Sequence, residues 1–437
     1  MAEQSTDSDP VGPIYHEINP NGDVLLILQK PRMTSFEPWD DNVEAQLPSF
    51  NPPEDPFEAL PRTTRKGKKG RKNPNRLLEE PPPLEPLEPI DEIAIENAEP
   101  SSSANNGEAT AAQAHDLPEV QMLVSSQHLI LASTHFKKML QSRFKEGKTP
   151  SSSADGPNYR EIPVTMNWNP SALLILMNII HGRTRKVPRS IDLDMLTEMA
   201  KLVDYHDCAE AVEVFSDMWV EKLRDSMPKR YGREVIMWLS VACAFRKSDV
   251  LREVTAIATM ENRGVIQQME LRIPGSVICE YSDHVGAFIN SWRANQHPSS
   301  AAIEERRLQS ITEVLDLLYD LKEDFGAGKG KELCSFECTS LFVGCLALGM
   351  RKCGLYPRPE APFLGLSFAE FEMRVRKIES LKWPYCRRQS DWEECAGPAD
   401  LIQPTLDKVR GEMAGLTLEE IWGASGGELS DKRSLDS

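Results

Sequence analysis

A proline-rich stretch from residue 31 to residue 118 divides the apolar sequence of this chain into two unequal parts. It holds fifteen prolines, few aromatic residues, a basic block and an acidic block. A segment of this composition cannot bury enough apolar surface to offset its chain entropy, so we predict a disordered insert over 31–118. The ordered core must therefore be built from one short segment before the insert and a long one after it.

The segment before the insert carries one strong structural signal. A turn sequence, "NPNG", precedes Val24–Leu28, "VLLIL", an unbroken apolar run typical of a strand buried on both faces. Two more strands are predicted after the insert, at 120–124 and 159–166. Stretching the first connection from ~4 to ~88 residues costs on the order of 3 kcal/mol in closure entropy. Burying five aliphatic side chains contributes roughly 7 to 15 kcal/mol, so we expect this strand to pair across the insert.

Most of the remaining apolar periodicity is helical. Ser133 stands where a helix N-cap belongs, and one apolar face follows it at Phe136, Met139, Leu140 and Phe144. Asn169-Pro170 and Gly182 bound a strongly apolar helix, and "DLDMLTEMAKLVDYHD" predicts another. In "EERRLQSITEVLDLLYDL" the spacing of Leu308, Ile311, Leu315 and Leu318 fits either core packing or a seam for a partner helix, and we favour core.

Composition and charge exclude several classes of protein. The formal charge is -17 and the pI is near 5.1, which disfavours a general nucleic-acid role because such a role needs broad basic surface. The acidic start "MAEQSTDSDP" argues against a secretion signal, and the longest apolar stretch, 341–350, has about half of the ~20 residues that a membrane span needs. Nine scattered cysteines are typical of reduced thiols. We therefore expect a soluble intracellular protein with no membrane contact.

The order of these elements resembles that of a BTB/POZ domain, in which two strands, a helical hairpin and a third strand are followed by apolar helices. "GDVLLIL" resembles the first strand of that family. Ser133 and Phe136 hold the places of its serine, any two, phenylalanine motif, although Thr134 stands where proline is usual. The run from Ala172 to Phe215 is similar to the helical second half, especially in the fungal branch. The resemblance implies an α+β interaction domain with no enzymatic chemistry of its own.

The predicted fold class is therefore α+β. A BTB/POZ-like domain, with a small mixed sheet and a helical cover, is followed by a mainly α-helical C-terminal region. The predicted boundaries are a polar N-terminal arm at 1–18, the BTB/POZ-like domain at 19–30 and 119–225, the insert at 31–118, the helical C-terminal region at 226–425 and a disordered tail at 426–437.

Several short motifs offer chemistry, but each has a simpler explanation. "GASGG", with Ser425 central, has the spelling of a nucleophile elbow but lacks the helix that should follow. "GAGKGK" at 326–331 lacks the spacing of a phosphate-binding loop. Asp204, His206, Asp207 and Cys208 in "DYHDC" fit a capped helix end better than a metal or acid–base cluster. We predict no catalytic residue and no cofactor.

The cysteines near the C-terminus allow two interpretations. Cys334 and Cys338 lie one helical turn apart, and a second pair follows at Cys386 and Cys395. Four thiolates could close a structural zinc site, but the spacing of the second pair departs from the usual two-to-four rule. Buried thiols are therefore the favoured interpretation, and no metal site is predicted.

The basic run "RTTRKGKKGRKNPNR" at 62–76 stands out in an acidic chain. It predicts either a nuclear-import signal, a solvated linker or a local nucleic-acid contact. The whole pattern predicts a noncatalytic protein-binding protein, for which the family resemblance allows homodimerisation. The alternatives are a substrate adaptor of a cullin-type ubiquitin ligase, with the cullin as a further partner, and a transcription-associated regulator. No zinc-finger spelling of two cysteines and two histidines supports the last of these.

Overall fold

The computed structural model of the chain describes most of the sequence outside the insert. The described residues are 12–45, 47, 117–141, 159–264, 266–278, 302–329, 333–381, 386 and 395–423. They belong to one compact unit, in which the chain before the insert joins the chain after it. The predicted tail at 426–437, the basic run at 62–76 and Phe144 lie outside the described residues.

A four-stranded mixed sheet is built from both sides of the insert. Its strands are β1 (Ile14–Glu17), β2 (Val24–Leu28), β3 (Val120–Val124) and β4 (Arg160–Val164), in the order β1-β3-β2-β4. Strand β2 pairs antiparallel with β3 and parallel with β4, so it lies inside the sheet. The predicted pairing across the insert is confirmed, and so is a mixed α+β architecture with a small sheet.

Thirteen α-helices accompany the sheet in the part of the chain that the structure describes. They are α1 (Asp41–Ala45), α2 (Ser126–Ala132), α3 (Thr134–Gln141), α4 (Pro170–Ile180), α5 (Leu193–His206), α6 (Ala209–Leu223), α7 (Arg233–Ala244), α8 (Ser248–Glu261), α9 (Ala302–Gly326), α10 (Phe336–Lys352), α11 (Phe368–Val375), α12 (Pro398–Glu412) and α13 (Leu418–Trp422).

Capping residues set the ends of the helices as the sequence predicts. Asn169 begins α4, since its side-chain oxygen accepts the backbone N–H groups of Ser171 and Ala172 at 2.9 and 3.0 Å, and Pro170 occupies the first turn. Ser133 separates α2 from α3, and its Oγ accepts the N–H of Phe136 at 3.0 Å. The predicted hinge at Ser133 is therefore confirmed.

The first residues of the predicted insert are ordered, which corrects its boundary. Residues 31–45, here called the strap, lie against the folded unit. The backbone N–H of Ser35 donates to the Glu198 carboxylate at 2.6 Å, and Lys201 on the same helix donates to the carbonyl of Ser35. Asp40 exchanges two hydrogen bonds with Gln267, at 2.8 and 2.9 Å. The composition of 31–118 conceals this order, because the strap combines the buried side chain of Phe36 with polar partners that lie far away in the sequence.

Two more boundaries need correction. The predicted polar arm at 1–18 contains β1, which pairs parallel with β3 along one edge of the sheet. The predicted break at 225–226 does not divide the core, because α7 is buried from Val235 to Ala244 and packs between α5 and α8. Helix α7 is apolar on nearly every side, so neighbours must cover all of it. It therefore belongs to the same core as the sheet.

The buried apolar residues form two clusters. The first contains the sheet, helices α2 to α8 and Leu416, and the second is built from α9 to α12. Ile311, Leu315 and Leu318 of α9 are fully buried in the second cluster, and Leu308 is partly buried against it. The predicted core role of the apolar stripe on α9 is therefore confirmed.

A buried ion pair lies where the two clusters meet. Arg307 of α9 is fully buried and donates to both carboxylate oxygens of Glu304, at 2.6 and 3.0 Å. Its guanidinium also donates to the carbonyls of Pro362, Phe363 and Leu366, in the loop that precedes α11. Asn262, at the end of α8, donates to Glu304 at 3.0 Å. One guanidinium thus connects the end of α8, the start of α9 and the loop before α11.

Among the described residues, none of the helices combines the length and the apolar composition that crossing a membrane requires.

Candidate functional site

A surface groove of about 580 Å³ lies where the α2–α3 hinge meets the start of α6 and the end of α7. Leu131, at the end of α2, forms part of one wall of the groove and is 88% exposed. The groove therefore presents one large, exposed apolar side chain. The groove is lined by Ile130, Leu131, Ala132, Ser133, Thr134, Lys137, Asp207, Cys208, Ala209, Glu210, Glu213, Ser216, Phe245, Arg246 and Lys247.

Charges of both signs surround Leu131. The basic side chains come from α3 and from the turn after α7, whereas the acidic ones come from the start of α6 and from Asp207 at the end of α5. Lys247 also forms an ion pair with Asp217 on α6, which fixes the turn after α7 against that helix. A groove with one apolar anchor and mixed charge suits a protein segment better than a nucleic acid, which needs a surface of one sign.

The serine in this groove is a structural residue. Ser133 is buried, and its hydroxyl donates to the carbonyl oxygen of His206 at 2.5 Å while it accepts the N–H of Phe136. Neighbouring Thr134 donates its hydroxyl to Asp207. Both hydroxyl groups are thus occupied in joining α3 to the end of α5. This geometry joins the walls of the groove and does not present Ser133 as a nucleophile.

The "DYHDC" motif forms the end of α5, as the sequence predicts. Asp207 adopts the left-handed conformation, with φ of 49°, and caps the helix. The imidazole of His206 stacks on the ring of Phe136 at 4.4 Å, and its Nδ1 lies 3.2 Å from Nδ1 of His135. Burial raises the pKa of the Cys208 thiol to about 12, so that thiol stays protonated. These residues pack a helix end and do not form an acid–base site.

Acidification is expected to destabilise the fold through His206. Burial lowers the pKa of this imidazole to about 3, against 6.5 for a free histidine, so the folded state keeps it neutral while the unfolded state takes up a proton. The contribution of His206 to stability is therefore complete above pH 6.5 and is lost as the pH falls from 6.5 towards 3. Each pH unit within this window costs about 1.4 kcal/mol. Urea unfolding between pH 7.5 and 5 would measure the slope.

The variant that tests this assignment is His206→Phe. Phenylalanine keeps the ring stacked on Phe136 and removes the titrating group, and Nε2 of His206 has no hydrogen-bond partner among the described residues. The acid slope of His206→Phe should therefore be shallower than that of the wild-type chain. An equally steep slope in His206→Phe would contradict this assignment.

Four cysteine thiols meet at the start of α10. The Sγ atoms of Cys334, Cys338, Cys386 and Cys395 all lie within 4.8 Å of one another. Cys338 is in the first turn of α10, where Ser335 caps the helix, and the backbone N–H of Cys334 donates to Sγ of Cys395 at 3.3 Å. The spacing of these cysteines favours four buried thiols. The structure instead groups them, and of the four only Cys338 is buried.

Two other sequence motifs lie partly or wholly outside the described residues. "GAGKGK" begins at the last residue of α9, where carbonyl groups rather than N–H groups face outward, and residues 330 and 331 lie outside the described range. Ser425 also lies outside it. The groove itself was not predicted, because its residues come from three separate parts of the chain, and only the apolar Leu131 on the outer side of α2 signals it.

A scan against family models and searches of curated proteins and of solved structures found no match to this chain. The BTB/POZ resemblance therefore rests on the quoted motifs alone.

Proposed function

We propose that this chain is a noncatalytic protein-binding protein built on a BTB/POZ-type α+β unit, with the groove beside Leu131 as its binding surface. The exposure of Leu131 on a fixed helical hairpin is the observation that supports this function. The hydroxyls of Ser133 and Thr134 fix the backbone of the hinge to His206 and Asp207, so presenting the leucine requires no reordering of that backbone when a partner binds.

The state of the nucleophilic groups also favours binding over catalysis. The hydroxyl of Ser133 is committed to two structural hydrogen bonds. The thiols of Cys208 and Cys243 both have a pKa raised to about 12 by burial, which removes the thiolate that a cysteine nucleophile needs. A binding protein requires none of these groups to be reactive.

Replacing Leu131 with aspartate should weaken partner binding. A central apolar anchor contributes about 2 kcal/mol or more, which corresponds to a loss of affinity on the order of 30-fold. Because the residue is 88% exposed, the free energy of unfolding should change by less than about 0.5 kcal/mol. The full chain and the variant would be compared by quantitative affinity purification and, for self-association, by sedimentation over a range of concentrations.

Leu348→Asp is the matched control, since Leu348 is 53% exposed on α10 and does not line the groove. This variant should keep the partners that Leu131→Asp loses. A second copy of the chain lost by Leu131→Asp would identify a homodimer, and a cullin lost in the same way would favour the ligase-adaptor alternative. Identical partners and affinities for wild type and Leu131→Asp would exclude the groove.

A further inference from the structure

We propose that Cys334, Cys338, Cys386 and Cys395 form a structural zinc site that fastens the loop between α11 and α12 to the start of α10. The proposal is independent of the protein-binding function, because it concerns a different part of the fold. It rests on the geometry of the four sulfur atoms.

The sulfur atoms have the spacing of a tetrahedral coordination shell. Sγ of Cys334 lies 3.7 Å from that of Cys338 and 3.4 Å from that of Cys386, and Sγ of Cys386 lies 3.4 Å from that of Cys395. A zinc ion with Zn–S bonds of about 2.3 Å requires sulfur–sulfur distances of about 3.8 Å. All six distances in the cluster are within 4.8 Å, so small side-chain movements would complete the shell.

Disulfides fit this arrangement less well. Bonded sulfurs are about 2.05 Å apart and form exclusive pairs. Here Cys386 is at the same distance from Cys334 as from Cys395, so neither partner is singled out. A cluster of several iron ions would hold the thiolates further apart than one ion does. Four thiolates around a single centre select zinc among the common cations, with a single iron ion as the principal competitor.

The surroundings of the cluster also suit a metal. Cys338 lies in the first turn of a 17-residue helix, whose N-terminal dipole stabilises a thiolate. The N–H of Cys334 donates to Sγ of Cys395, and such hydrogen bonds offset the charge of a thiolate shell. These features add to the four-sulfur geometry, which already specifies the site.

The position of the site explains what the metal would do. The two ends of the segment between α11 and α12 are joined, because the N–H of Ala399 donates to Oγ of Ser380 at 2.9 Å. The base of the loop is thus closed, while Cys386 and Cys395 are its contributions to the cluster. The other two ligands belong to the start of α10. One zinc ion would therefore join two separate chain segments at the edge of the second apolar cluster.

Metal analysis of the full chain would test the proposal. Protein purified under reducing conditions should contain about one zinc ion per chain, and Cys386→Ser and Cys395→Ser should each lose most of it. The control is Cys345→Ser, which removes a half-buried thiol of α10 outside the cluster and should retain the zinc. If the ligand variants fail to fold, replacing zinc with Co²⁺ in the wild-type chain gives a second readout. Tetrahedral thiolate coordination should then produce intense visible absorption.

Each result decides the question. Zinc that is lost with Cys386→Ser and kept with Cys345→Ser, together with the cobalt spectrum, supports the site. Zinc retained by both ligand variants would place the metal elsewhere and overturn the proposal. A wild-type chain with no zinc and no cobalt spectrum after reduction would also overturn it, as would iron bound in place of zinc. None of these outcomes depends on partner binding at Leu131.

Discussion

A chain that lacks residues 1–30 is expected to lose cooperative unfolding and to aggregate. The deletion removes β1 and β2, which are two of the four strands, and β2 pairs with β3 on one side and with β4 on the other. Four of its five side chains are buried, and each contributes about 1.5 to 3 kcal/mol. Their sum, roughly 6 to 12 kcal/mol, is comparable with the whole stability of a typical domain, about 5 to 15 kcal/mol. Circular dichroism during heating would measure the loss.

A shorter truncation provides the control for this experiment. Removing residues 1–11 leaves both strands in place, so that variant should melt like the full chain. Leu26→Asp tests the contribution of β2 independently and should also destabilise the chain. Leu26 is paired with Met122 and Ile162 in the sheet and is 2% exposed. Wild-type melting in the chain without residues 1–30 would show that the strands downstream of the insert form a stable core alone.

Arg307→Ala should destabilise the chain by about 3 to 5 kcal/mol. The substitution leaves the carboxylate of Glu304 buried without its cationic partner, and a broken buried ion pair has this typical cost. Three loop carbonyls also lose a donor at the same time. Since Arg307 connects the two apolar clusters, unfolding of the variant in urea should separate into two transitions. Tryptophan fluorescence and circular dichroism would then give different midpoints.

The neighbouring arginine is the natural control. Arg306 forms an ion pair with Glu420 and donates to the carbonyl of Ala414, but both charged side chains are partly exposed. Arg306→Ala should therefore cost less than about 1 kcal/mol. Equal destabilisation by the two substitutions would show that burial of Arg307 adds nothing to its contribution.

The sequence predicts the parts of this fold that depend on local pattern. Val24–Leu28 is recognisable as a strand because the run is short, apolar and preceded by a turn, and Asn169-Pro170 marks a helix start by its capping chemistry. Strand β1 is not recognisable from the sequence, because "IYHE" is four residues long and three of the four are exposed. The order of the strap is also not recognisable from the sequence, for a different reason. Its order depends on Glu198 and Gln267, which lie far away in the sequence.

The same distinction applies to the candidate sites. Cys334 and Cys338 are visibly one helical turn apart, but nothing in the spacing of Cys386 and Cys395 shows that they reach the same point. They are brought there by the packing of α10 against the segment after α11, which is a property of the second apolar cluster. The groove beside Leu131 likewise exists only after α2, α6 and α7 have come together.

The position of β2 inside the sheet has a consequence for the synthesis of the protein on the ribosome. Translation reaches Leu28 long before it reaches Val124, the last residue of the neighbouring β3. At typical speeds of synthesis, the 96 residues from 29 to 124 take roughly 5 to 19 seconds. During that interval neither β3 nor β4 exists to pair with the apolar "VLLIL" segment. This segment is therefore open to premature association until β3 has been synthesised.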